Sequence, residues 1–252
     1  WHYALKNISI TIPAGEKLAV VGLNGAGKTT FVKLMLRLYD VTEGQILLNG
    51  TDIREFDRTE YFSLFAPAFQ DVMVFAFPMC ENVSMKEPFN TDKEKAEKML
   101  RKAGLGEKID SLEKGVETEL LKVLYDDGID LSGGERQRAR IAMAIAQKPE
   151  IMLLDEPTTY LDIAHQLEIM ELVSALNREE GITVVMVLHD MNHAARYSDK
   201  LILLSDGKIH TVGSPRELIE NGQLENVFNV DAEILSDSED NSPIFYAKRV
   251  KK

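Results

Sequence analysis

Three groups of residues in this sequence have the types and spacing needed to handle phosphate. Gly22-Leu23-Asn24-Gly25-Ala26-Gly27-Lys28-Thr29, with Thr30 next in line, fits the pattern G-x-x-x-x-G-K-[ST]. In that pattern backbone N–H groups at a helix N-terminus cradle phosphate oxygens, the lysine reaches the β- and γ-phosphates, and the hydroxyl after it can ligate Mg²⁺. Glycine makes up about 7% of ordinary sequences, so a chance match in a chain of this length has a probability on the order of one in a hundred. The second group is Asp155-Glu156, which ends the apolar run Ile151-Met152-Leu153-Leu154. An acid at the end of a strand beside such a loop meets the Mg²⁺ shell, which suits Asp155. The next acid, Glu156, can orient or deprotonate an attacking water. Read alone, the two acids suit the start of a turn equally well. The third group is Leu131-Ser132-Gly133-Gly134-Glu135. Two glycines after a serine at a helix start expose donors for an anion, although the string by itself also reads as a turn and a helix cap.

These groups need elements to hold them. Lys17 to Val21 is apolar with β-branched residues, and Thr29 to Leu38 is apolar at helical spacing, so the glycine loop lies between a strand and a helix. Gln45 to Leu48 reads as a short strand closed by Asn49-Gly50, while Phe56 to Gln70 is mixed. Thr91 with Glu94 forms a capping-box pattern for a charged helix running to Lys102, and a further helix runs from Gly134 to Gln147. Ile151 to Leu154 and Ile182 to Leu188 are continuous apolar strands around a helix from Ile163 to Glu179. Strands apolar throughout, alternating with helices, predict a parallel sheet covered on both faces, hence an α/β fold. Leu201 to Ser205 and Lys208 to Val212 flank the hairpin signal Asp206-Gly207, and Ser214-Pro215-Arg216-Glu217 is a capping box with proline at the first helical position. The tail through Ser236 to Asn241 reads as a solvated loop before a last strand near Ile244 to Lys248.

The bulk properties narrow the setting. The 252 residues are 44% hydrophobic, enough for one large domain, and no stretch nears the roughly 18 apolar residues of a membrane span. The N-terminus lacks the basic and apolar regions of a secretory signal, so the chain is expected in the cytoplasm. A formal charge of −12 opposes binding to nucleic acid or to anionic lipid. Cys80 is alone, which excludes an intrachain disulfide and fits a small buried side chain.

Taken in order, Lys28, the Leu131 to Glu135 string and Asp155 resemble the Walker A, LSGGQ signature and Walker B motifs of ABC transporter ATPases, with Glu135 in place of the signature glutamine. Gln70 then resembles the Q-loop glutamine, Thr159-Tyr160-Leu161-Asp162 the D-loop, and His189 the switch histidine. The resemblance implies a P-loop NTPase core with a mainly parallel sheet, an antiparallel β portion near the N-terminus and a helical subdomain carrying the signature. It spans 1–252 as one domain: 1–70 and 150–215 form a RecA-like core, 71–149 the helical subdomain and 216–252 a C-terminal extension. It further implies that ATP and Mg²⁺ are the cofactors. ATP would be held by Gly22, Asn24, Gly25, Ala26, Gly27, Lys28, Thr29, Thr30 and Gln70, with Ser132, Gly133 and Gly134 of a second, head-to-tail copy closing over it. Thr29, Gln70 and Asp155 would hold the metal, Glu156 would act as base or water positioner, and His189 would contact the γ-phosphate. Transmembrane transporter subunits would be the other partner, leaving the chain peripheral to the membrane without inserting into it.

Two features depart from the family. Only Trp1, His2 and Tyr3 precede the segment Ala4 to Ser9, so adenine stacking is expected to be weakened or taken over by Trp1 or Tyr3. Residues up to about Leu131 resemble exporter ATPase domains, and those from about Arg136 resemble ferric-siderophore importer ATPases. That change points to a recombined or engineered chain of marginal stability, with an unusual natural member as the alternative. His165, His193 and Tyr197 read as packing or surface groups. Competing functions are a catalytically silent nucleotide-binding scaffold and a non-transport ABC protein. The latter fits poorly: about 104 residues separate Lys28 from Ser132, with no heptad run between them.

Overall fold

The structure is a computed structural model that describes residues 3–69, 74–123, 126–238 and 242–251. The chain opens with strand β1 (Lys17–Gly22), whose Leu18 to Val21 are fully buried, and passes through the glycine loop into helix α1 (Lys28–Met35). Strands β2 (Leu47–Leu48) and β3 (Thr51–Asp52) pair antiparallel across Asn49 and Gly50, both at positive φ as a two-residue hairpin requires. This short ladder is the antiparallel portion expected near the N-terminus. The mixed segment resolves into helix α2 (Arg58–Ser63) and strand β4 (Phe65–Ala68). Four helices follow: α3 (Met79–Ser84), α4 (Lys93–Lys102), α5 (Gly106–Asp110) and α6 (Gly133–Ala146). Next come β5 (Ile151–Asp155), α7 (Ile163–Glu180), β6 (Thr183–Val187), α8 (Met191–Tyr197), β7 (Lys200–Ser205) and β8 (Lys208–Gly213). Helices α9 (Pro215–Glu220) and α10 (Gln223–Phe228) lead into a ribbon of β9 (Val230–Ser236) and β10 (Pro243–Val250).

The main sheet has the order β4-β5-β6-β1-β7-β8, parallel except for β8. Alternate residues of each strand feed two cores. Ala19, Val21, Met152, Leu154, Val184 and Met186 pack with residues of α6, α7 and α8 on one face. Leu18, Val20, Leu153, Val185 and Val187 pack with Phe31, Val32 and Tyr61 on the other. A third apolar cluster joins α3 through α6 around Leu100, Leu105 and Leu131. Because β1, β5 and β6 run in one direction, the loops leaving their C-terminal ends share one rim of the sheet. Among the described residues no helix is long and apolar enough to cross a membrane.

Two readings from sequence are corrected. Helix α1 stops at Met35 rather than Leu38, because Tyr61 Oη donates to the Met35 carbonyl at 2.5 Å and Arg37 turns to φ 53. The Arg37 guanidinium then donates to the carbonyls of Ile53 and Phe56 at 3.0 and 3.1 Å. The cap of α4 is Asp92, which accepts from Lys95 N at 2.9 Å, and the Thr91 hydroxyl bonds Ser84 instead. Ahead of the expected loop the structure adds a strand, Val230–Ser236, which pairs with the final strand, whose Phe245 is buried in the main core.

Candidate nucleotide site

The glycine loop is shaped by close packing. Gly22 has φ 154, and a Cβ there would collide with the Leu204 carbonyl of the neighbouring strand, whose carbon would lie at 3.1 Å. Gly27, at φ 101, leaves no room either: a Cβ would sit 2.5 Å from Leu5 Cδ2 and 3.0 Å from Ala4 O. The N-terminal segment is thus braced against the start of α1, and Lys6 N donates to Gly207 O at 2.7 Å in the β7–β8 turn. Lys28 is only 7% exposed and its Nζ donates to Gly22 O at 2.9 Å and Leu23 O at 3.1 Å. Burial lowers its pKa, while the charges of Glu156 and Asp155 push it back up. Asn24 and Gly25 are exposed, Ala26 is buried, and Thr29 and Thr30 occupy the first turn of α1.

Asp155 ends β5, buried to 7% exposure. Burial raises its pKa, and the Thr29 hydroxyl bonded to its carboxylate acts in the opposite sense. Its Oδ1 is buried without a hydrogen-bond partner. A carboxylate oxygen left so beside a hydroxyl is the donor set a hard divalent cation such as Mg²⁺ takes.

Glu156 follows in a left-handed conformation, φ 56, with its N–H donating to Val187 O of β6 at 3.1 Å. Its carboxylate is held from two sides: Oε1 lies 2.6 Å from His189 Nε2, and Oε2 accepts from Thr159 Oγ1 at 3.2 Å. His189 lies just beyond β6, where Leu188 N donates to Val20 O of β1 at 3.2 Å, and Asp190 after it caps α8. Lys28, Thr29, Asp155, Glu156 and His189 therefore come together from three adjacent strands. Gln70 lies outside the described residues, as does Trp1. Tyr3 is exposed, its ring 6.0 Å from Lys6 Nζ and its hydroxyl 3.3 Å from Glu43 Oε1.

Ser132, Gly133 and Gly134 form the N-terminus of α6. Ser132 accepts from Glu135 N at 3.2 Å while Ser132 N donates to Glu135 Oε2 at 2.8 Å, a complete capping box. Burial works to raise the Glu135 pKa, but the Ser132 N–H and Lys108, 3.2 Å away, outweigh it and leave the carboxyl below its ordinary value. Gly133 is packed against Leu161, just before α7, and Gly134 against His165 in the first turn of α7. Sequence reasoning gave Thr159 no partner and treated His165 as a packing or surface group. The spacing of Asp162 and His165, a helix cap and the third residue of the helix, was the signal available for the second.

Compared with known proteins, residues 5–159 match the ABC transporter family. The chain belongs to the ABC transporter family. It is 38% identical over its full length to a petrobactin import ATP-binding protein of Bacillus anthracis, covering 90% of that protein. It is 34% identical over 95% of its length to a ferric enterobactin transport ATP-binding protein of Escherichia coli K12, covering 86% of it. Among solved structures, a bacterial Atm1-family ABC exporter with ATP bound superposes with a TM-score of 0.76 at 29% identity, over 86% of this chain and 37% of that one. As a member of the ABC transporter family the chain is an ATP-binding ATPase. The importer match runs through both halves, and the exporter match covers most of the chain, so neither supports a junction inside the signature.

Proposed function

We propose that this chain hydrolyses Mg²⁺-ATP in a pair with a second copy and drives a solute through separate membrane subunits. The observation that carries the reading is the Glu156 carboxylate held between His189 and Thr159 on the rim that also bears Lys28, Thr29 and Asp155. On this reading Gly22 to Thr30 cradle the triphosphate, with Lys28 toward its β- and γ-phosphates. Asp155 and Thr29, with Gln70, hold Mg²⁺, whose charge neutralises phosphate oxygens when it is bound. Glu156 orients the attacking water and takes its proton as the water oxygen bonds the γ-phosphorus and the β–γ bridging bond breaks to release ADP, while His189 turns from Glu156 to contact the γ-phosphate. The partner's contribution comes from the N-terminus of its α6, where Ser132 and Gly133 are exposed and Gly134 is buried beside them, so a lone chain turns over slowly.

Division into a core (1–70 and 150–215), a helical subdomain (71–149) and a C-terminal extension (216–252) belongs to the same reading, supported by the separate apolar cluster of α3 to α6. Import of an iron-siderophore complex is supported by the likeness to the petrobactin import and ferric enterobactin transport proteins above. The test is Glu156→Gln, which keeps shape and Thr159 bonding but removes the acceptor of the proton. Turnover should fall by about 10² to 10⁴ while ATP binding persists and ATP-dependent dimers accumulate. Turnover equal to the parent's would refute the role of Glu156.

A further inference from the structure

We propose that His165 is a positioning residue for the signature, seating Gly134 so that α6 presents its first turn to the partner's nucleotide. The idea rests on the reading above, in which Ser132 to Gly134 close a second copy's site. A Cβ on Gly134 would lie 2.9 Å from His165 Cγ and 3.0 Å from Nε2, with Cδ2 nearer still, so the imidazole rests directly on the glycine backbone. Gly133 is backed in the same way, its Cβ position 3.3 Å from Leu161 Cδ2. The absence of side chains at both glycines is thus used on the inner side of the loop, by the chain's own residues.

The ring is fixed in turn by Asp162. One carboxylate oxygen accepts from His165 N at 3.0 Å and the other lies 2.7 Å from Nδ1. These contacts cap α7 and draw the Asp162 pKa down, the backbone bond contributing most. An ionised carboxylate only accepts, so Nδ1 carries a proton toward Asp162 and the Nε2 side of the ring faces Gly134. The ring's contact is with an aspartate that the His165 backbone N–H itself holds in place, which limits rotation of the imidazole. A ring so held is a rigid spacer between the start of α7 and the start of α6, where a misplacement on the order of 1 Å costs a large factor in rate.

Three variants of the full chain test this. His165→Ala should lower kcat on the order of tenfold and weaken ATP-dependent dimerisation in a Glu156→Gln background. Binding of a fluorescent ATP analogue by the monomer should stay unchanged, because the Lys28 cradle is not touched. His165→Asn, whose amide can still donate to Asp162, should recover most of the loss. In nucleotide-free thermal unfolding Gly134→Ala should melt below the parent, and the Gly134→Ala/His165→Ala double variant should melt above Gly134→Ala alone, since the smaller side chain makes room for the methyl. The proposal is overturned by parental kcat in His165→Ala, by equal loss of monomer nucleotide binding, by an asparagine variant no better than alanine, or by additive melting shifts. Ser132→Arg separates the two levels: if it retains turnover the signature reading itself is wrong, and if it abolishes turnover while His165→Ala is silent only the role of His165 falls.

Discussion

Asp155→Asn should make the nucleotide-free protein more stable and inactive at once. The carboxylate is 7% exposed with Oδ1 unpartnered, and burial is the largest influence on its ionisation. Repulsion from Glu156 adds to the penalty, and the opposing attractions of Lys33 and Lys28 are weaker than either. Leaving a buried polar oxygen unsatisfied costs about 1 to 3 kcal/mol, more for a charge. Asparagine keeps the shape and the acceptor for Thr29 but still buries an amide, so only part is recovered, about 1 kcal/mol. For a domain of this size that is a rise of roughly 2 to 4 °C in Tm. The assay is thermal unfolding in chelator without nucleotide near neutral pH, beside Mg²⁺-dependent turnover. A variant that melts at or below the parent would mean that the carboxylate is already well solvated or paired, and the burial argument would fail. Retained turnover would remove Asp155 from the site.

Gly22→Ala should cost about 2 to 3 kcal/mol in chemical denaturation, because the methyl meets the Leu204 carbonyl at a φ that disfavours L-residues; an unshifted midpoint would contradict the packing. Asn177→Ala should cost about 2 to 3 kcal/mol by leaving the carbonyls of Gly15 and Ile182, now 2.8 and 2.7 Å from its Nδ2, without a donor. Glu135→Gln keeps the cap but loses Lys108, at about 0.5 kcal/mol after solvent screening. Since the folded carboxyl lies below its ordinary value, the parent's advantage should be present at pH 7 and vanish as pH falls below about 4; an advantage that grows in acid would reverse the sign argued here.

The site was legible where chemistry is written in consecutive residues. The glycine loop, the acids after Ile151–Leu154 and the histidine after β6 each sit at the end of an apolar strand, and the strands announced themselves by being buried on both faces. What escaped depended on partners distant in sequence. Helix α1 is ended by Tyr61 and Arg37 bonding to carbonyls that no local pattern marks. Strand β9 mixes Asp231 and Glu233 with apolar residues and is half exposed, so only its pairing with β10 defines it. Thr91 and Asp92 are both good caps, and one position separated the right choice from the wrong one. His165 reads as a packing or surface group and does pack, but nothing in its own neighbourhood says that Gly134 lies under its ring.

The shared rim has a thermodynamic corollary. Strands β1, β5 and β6 are joined in the sheet by backbone hydrogen bonds, and a triphosphate lying across their loop ends would fasten all three to one another. Saturation with nucleotide should therefore stabilise the fold by about 2.7 kcal/mol at a hundredfold excess over Kd and raise the melting temperature accordingly. Occupancy can thus be followed by heat alone, even in variants that no longer turn over.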